Sequence, residues 1–239
     1  MVVNKELRVR IEVDSDVSNP RDEDCNFGTM VCWHKRYMLG DKKPDYEPYE
    51  FCWRLMQERE WNIQNKDIPE YGYIEDRHIA AYIDKHFCVL PLFLYDHGGI
   101  TMSTGRFSCP WDSGQVGYIY VSLEECQANW MVPDAGWKHP LQDHEGNSLT
   151  MYEYAERLLK GEVETYDNYL TGDVYGFIIE QRETVENDID DDPEWEEVDS
   201  CWGFYGTDWF SNGMSDYVPA ELHDQLRNAE IEYPRSCNV

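Results

Sequence analysis

Two groups of residues in this sequence are of types that do chemistry. Asp96-His97 follows an apolar run and precedes Gly98-Gly99, and Ser108, Cys109 and Asp112 lie a short way downstream. A strand end on a glycine-bearing loop is where a general acid, a base or a nucleophile is held out to substrate. The same residue types also end ordinary strands, and spacing pairs no thiol or hydroxyl with a particular imidazole. His139, Asp143 and His144 form a second loose polar group with the same two meanings. The 8 Cys include no CxxC pair. Cys25 and Cys32, with His34 close by, lack the short paired spacing of a zinc site. Reduced, mostly buried thiols are expected, with no metal and no cofactor. Asp188, Asp190, Asp192, Glu194 and Glu196 alternate like the ligands of a calcium loop. Pro193 stands where that loop needs Gly, and Asp199 where it needs Glu, so an EF-hand is excluded. No phosphate loop, dinucleotide fingerprint or nucleophile elbow occurs.

Charge is the stronger signal. The 239 residues hold 48 Asp+Glu against 20 Lys+Arg, a formal net charge of −28. Residues 121–239 carry 28 of those acids and only 6 of the bases. No Lys or Arg lies between Arg182 and Arg227. The densest block, residues 183–199, contains Glu183, Glu186, Asp188, Asp190, Asp191, Asp192, Glu194, Glu196, Glu197 and Asp199. Such a block cannot form ion pairs within itself. Either distant bases neutralise it or it stays an open negative surface, whether as a solvated loop or as a binding site. On an extended strand, carboxylates on one face repeat at roughly 6.6 Å, not far from successive phosphates on one DNA strand. That surface would compete with nucleic acid for a basic groove. Beside it lie Trp195, Trp202 and Trp209, with Phe204, Tyr205 and Phe210. These are interface anchors or core residues.

A hydrophobic fraction of 41% with 14% aromatics is enough for a core, which excludes wholesale disorder. No apolar run approaches the roughly 18 residues that span a bilayer. The N-terminal stretch lacks the apolar region of a secretory signal, so a cytoplasmic location is expected. The acidity argues against direct nucleic-acid binding through a basic surface.

The elements follow from periodicity. Leu7–Val13 alternates as a half-buried strand, and Thr29–Trp33 reads as a short strand. Tyr49–Arg59 and the segment after Asp76 carry helical stripes. Val89–Tyr95 is apolar on both faces, although Pro91 points to an edge or a bulge. Ile100–Thr104 and Val116–Val121 are expected to pair. Capping boxes at Ser122–Glu125 and Thr150–Glu153 start two helices, and Gly172 ends the second. Val174–Glu180 and Val198–Tyr205 are expected to run antiparallel, with the acidic block as their connection. Pro219–Asn228 is a short final helix. Interspersed helices and hairpin-like strands give an α+β fold, with a mixed or antiparallel sheet and several packed helices. A single domain over 1–239 is expected, with 183–199 as an acidic insertion or hairpin arm.

The segments GTMVCWHKRYMLGD (28–41), LYDHGGITM (94–102), SCPWDSGQVGYIY (108–120) and YLTGDVYGF (169–177) resemble a family of uncharacterised bacteriophage and prophage proteins. The family has no assigned activity, so no catalytic residue carries over. The resemblance implies an intracellular, phage-encoded accessory protein. Together with the charge, it leads to an expected inhibitor of a host nucleic-acid-targeting system (anti-CRISPR or antirestriction, by DNA mimicry). Its partner would be a host nucleic-acid-binding protein or complex, held by the acidic block without catalysis. The alternatives are an interaction or regulatory module using the Trp-rich surface, and a small enzyme using Asp96, His97, Cys109 and Asp112.

Overall fold

The computed structural model describes residues 3–22, 26–62, 75–130, 146–185 and 194–233. In chain order the elements are β1 (Val3–Val13), β2 (Thr29–Cys32), α1 (Phe51–Asn62), α2 (Asp76–His86), β3 (Phe87–Asp96), β4 (Ile100–Ser103), β5 (Ser113–Ser122), α3 (Leu123–Trp130), α4 (Met151–Thr171), β6 (Val174–Val185), β7 (Glu196–Tyr205), α5 (His223–Arg227) and β8 (Ile231–Glu232). The class is α+β. Contacts divide the chain into two compact units, Met1–Pro20 with Asn168–Val239, and Arg21–Asp167. Each has its own four-stranded sheet.

The first unit holds the sheet β7-β6-β1-β8, antiparallel except for the β1–β8 pair. One face buries Val9, Ile11, Tyr175, Phe177, Ile179 and Phe204 against Trp209, Met214, Val218, Leu222 and Leu226. The alternation of Leu7–Val13 is what aims Val9 and Ile11 at that core while Arg8 and Arg10 take the other face.

The second unit holds the antiparallel sheet β2-β5-β3-β4. Phe51, Leu55 and Met56 of α1 and Ile79 and Ile83 of α2 pack with Val31 and Phe87. Ile100–Thr104 and Val116–Val121 do not pair with each other. β4 instead folds back on β3, from Phe93↔Ser103 to Asp96↔Ile100. The tight turn at residues 97–99 carries Gly98 at φ 76° and closes with a bond from the His97 amide to the Gly99 carbonyl. The shorter closure wins, and β5 takes the other edge of β3. Pro91 is accommodated because β4 reaches only residues Phe93–Asp96 of β3, and the register shifts by a bulge between Leu92 and Phe93.

The Thr150–Glu153 capping box forms in full, and Ser122 caps α3. The Ser122 hydroxyl accepts from the Glu125 amide at 3.0 Å. At the start of α4, the Thr150 amide donates to Glu153 at 2.8 Å, and the Glu153 amide donates back to Thr150 Oγ1 at 3.2 Å. Gly172, at φ 80°, ends that helix.

Arg21 anchors the second unit. Its side chain is 1% exposed, and it bonds Asp41 at 2.7 and 2.8 Å, Glu162 at 2.9 Å and the Gly28 carbonyl at 2.7 Å. Asp41 in turn accepts from the Met30 amide at 2.7 Å.

Candidate functional site

β6 and β7 pair antiparallel, as their sequences predict, so the acidic run connects two strands. Glu186, Asp188, Asp190, Asp191 and Asp192 lie outside the described residues. Glu183, Glu194, Glu196, Glu197 and Asp199 are described, and all five are exposed. β7 is an edge strand, with no neighbouring strand on its outer side among the described residues. Its pairing with β6 shifts twice. Val198 is the extra residue between Glu180↔Glu197 and Ile179↔Asp199, and Trp202-Gly203 stand opposite Gly176 at the second shift, with Gly203 at φ 88°. Glu196 and Glu197 are consecutive and so take opposite faces; the extra residue Val198 puts Asp199 with Glu196, opposite Ile179 and Gln181, and leaves Glu197 opposite Glu180. The regular same-face repeat of carboxylates at roughly 6.6 Å is therefore interrupted at Val198, and the strand edge carries charge on both faces.

The described cations of this unit are already engaged. Glu180 takes Arg8 at 2.6 Å and Arg10 at 2.9 Å, and Arg10 also holds Glu12 at 2.6 Å and Glu232 at 2.8 Å. Burial alone would raise the Glu180 carboxyl, but the bonds from Arg10 and Arg8 outweigh it and hold the group below its ordinary range. Arg182 grips Glu6 at 2.6 Å, Lys5 pairs with Glu183 at 2.9 Å, and Arg227 pairs with Asp224. Among the described residues no Lys or Arg pairs with Glu194, Glu196, Glu197 or Asp199. Glu197 accepts from the Ser200 hydroxyl and Asp199 from the Ser200 amide. Among the described acids of the block, distant bases thus neutralise only Glu183, and the β7 edge keeps an open negative charge.

The three tryptophans separate. Trp195 receives the guanidiniums of Arg8 at 4.2 Å and Arg182 at 4.7 Å over its ring. Trp202 is 43% exposed and lies over Gly176, where a β-carbon would collide with its ring. Trp209 is buried edge-on to Tyr175, so its ring serves the core and is not offered to a partner.

In the second unit, the chemistry-bearing loops meet at one end of the sheet. His97 Nδ1 lies 3.2 Å from Asp112 Oδ2, and Cys109 Sγ lies 3.8 Å from the same oxygen. The Asp96 amide bonds the Asp112 carbonyl at 2.9 Å, and the Asp96 carboxylate meets Arg36 at 3.5 Å. Asp112 therefore stands between thiol and imidazole. The carboxylate orients His97 through Nδ1 and leaves Nε2 as a base, but Cys109 faces an acid, so the two do not form a nucleophile–base pair. The His97 side chain is 70% exposed. Ser108 is exposed. His139, Asp143 and His144 lie outside the described residues. No group of three or more His, Cys, Asp or Glu among the described residues is placed to hold a metal.

The Arg8–Arg10–Glu180 network was not among the residues singled out from the sequence. Its signal was present: the alternation that buries Val9 and Ile11 puts both arginines on one face, and Glu180 falls on a neighbouring strand. No family model, curated protein or solved structure matches the chain. Among the described residues no helix is long and apolar enough to cross a membrane.

Proposed function

We propose that the chain is a phage-encoded accessory protein that inhibits a host nucleic-acid-targeting defence system, of CRISPR or restriction type, by presenting carboxylates to a basic nucleic-acid-binding groove. The supporting observation is the β7 edge, where Glu196, Glu197 and Asp199, with Glu194 just before the strand, stand exposed without a cationic partner among the described residues. The sequence places five further acids in the adjoining connection. Bulges and like charge oppose the addition of another strand to this edge. A partner would therefore be met through side-chain charge, not through backbone pairing. Opposite charge accelerates encounter and fixes register, and its effect falls as salt shortens the screening length to about 8–10 Å. The phage origin rests on the motif resemblance.

A host-lysate pull-down tests this with the wild-type chain and with Glu194, Glu196, Glu197 and Asp199 changed to Gln or Asn. The expected result is capture of a DNA- or RNA-binding complex that is lost with neutralisation and with rising salt. Capture that survives both moves the interface to the exposed Trp202 surface and overturns the acidic mechanism.

One observation favours a second function, a small enzyme. Asp112 holds His97 in the orientation a general base needs. Loss of a phage phenotype in His97→Ala, with capture unchanged, would favour the enzyme over the inhibitor.

A further inference from the structure

The second unit contains a cleft of about 670 Å³ between α1, the Lys42–Tyr46 segment and β5. A neighbouring hollow of about 510 Å³ shares Lys42, Glu58 and Tyr120 with it. The first volume is of the size that holds a small organic ligand. In a chain of net charge −28, the cleft gathers Lys42, Lys43 and Arg54 against Asp45 and Glu58. Lys43 donates to the His34 carbonyl at 2.9 Å, and Arg54 bonds Glu50 at 3.0 Å. Two cationic donors are left over. Lys42 has no carboxylate at ion-pair distance among the described residues, and Arg54 Nε is buried without a partner. A free ammonium on Lys42 and a guanidinium on Arg54 that keeps donors beyond its Glu50 pair fit an anion that supplies the acceptors.

The walls are held in place without a ligand. The Lys42 backbone is fastened to β2, through the Cys32 amide to the Lys42 carbonyl at 3.2 Å and the Lys42 amide to the Met30 carbonyl at 3.4 Å. Before it, Asp41 is fixed by Arg21. The Tyr46 carbonyl accepts from Trp33 Nε1 at 2.6 Å, and the Arg54 guanidinium sits 5.4 Å from the Tyr46 ring centre. Tyr120 lies on β5, which is paired on both edges. Burial first, and the Glu58 charge second, keep the Tyr46 and Tyr120 hydroxyls above their ordinary range, so both stay neutral donors. Two aromatic walls suit a planar ring. Glu58 has no ion-pair partner among the described residues and can accept from ring amino or sugar hydroxyl groups.

We propose that this cleft binds a phosphorylated ligand with a planar ring, of nucleoside monophosphate size, with Lys42 and Arg54 on the phosphate and Tyr46 and Tyr120 beside the ring. The proposal stands independently of the acidic β7 edge.

The test is calorimetric titration of the full chain with AMP, GMP, CMP and UMP, with adenosine and inorganic phosphate as controls. At least one monophosphate is expected to bind more tightly than either control. Lys42→Gln, at an exposed position, and Arg54→Gln should each weaken that binding at least tenfold, with the circular dichroism spectrum unchanged. No heat from any monophosphate at 5 mM overturns the proposal. So does binding that neither variant weakens. Inorganic phosphate binding as tightly as the monophosphates removes the ring from the site and overturns it equally.

Discussion

Changing Arg21 to Met removes the one buried cation that ties Asp41, Glu162 and the Gly28 carbonyl together. Breaking a buried ion pair by deleting one partner costs about 3–5 kcal/mol, because the remaining charge loses its compensation. Here the lower end applies. Asp41 keeps the Met30 amide, Glu162 keeps the Gly28 amide at 3.0 Å, and both acids retain some solvent exposure. A loss of about 3 kcal/mol is expected, or roughly 6–12 °C in melting temperature for a domain of this size. Arg21→Lys should lose an intermediate amount, since a point charge cannot reproduce the forked contact with Asp41. The control is Lys160→Met, which removes the exposed Lys160–Glu156 pair at 2.8 Å and should cost under about 0.5 kcal/mol. Urea unfolding followed by tryptophan fluorescence measures all three. A loss for Arg21→Met below about 1 kcal/mol, or no larger than that of the control, would refute the anchoring role.

Gly117→Ala places a β-carbon against the Val31 carbonyl and should cost about 2–3 kcal/mol in urea unfolding, whereas Gly114→Ala, with nothing nearby, should be close to neutral. Glu180 is held below its ordinary range, so its contribution is complete above about pH 4.3 and is lost as pH falls through the lowered value. Urea midpoints measured from pH 7 to pH 3 should therefore fall less steeply on the acid side in Glu180→Gln than in the wild type. Burial pushes the Cys32 and Cys88 thiols up to about 12. Iodoacetamide at pH 8, read by peptide mapping, should label Cys109 and Cys201 well before either.

Local rules made much of the fold legible. The Thr150–Glu153 box, Gly172 and the stripe through Ala155, Leu159, Val163 and Tyr166 define α4 almost to the residue. The apolar runs on either side of the acids identify the β6–β7 hairpin. Competition between closures was harder to read. Ile100–Thr104 could pair with either neighbour, and the tight turn at Gly98 decided it in favour of β3. Arg21 carries no signal of its own, because its partners Asp41 and Glu162 lie 20 and 141 residues away.

The motifs that carried the phage resemblance prove rich in fold-holding residues. A β-carbon at Gly28 would collide with Leu159, one at Gly117 with Val31 and one at Gly176 with Trp202. Asp173 accepts from Thr171 and Tyr175. Such motifs identify a scaffold more readily than an activity. The acidic edge was legible as composition, and adjacent acids on a strand must face opposite ways, but the shift of Asp199 onto the Glu196 face was not, because a bulge depends on pairing that no single strand reveals.

On the proposed function, unpaired carboxylates on the β7 edge capture a basic groove without turnover. The most direct test is displacement of labelled nucleic acid from the captured host complex, titrated with the wild-type chain and with the variant neutralised at Glu194, Glu196, Glu197 and Asp199. The expected result is stoichiometric displacement that weakens at least tenfold on neutralisation and declines steadily between about 50 and 200 mM salt. Substoichiometric displacement that turns over, or displacement that neither salt nor neutralisation touches, would contradict it.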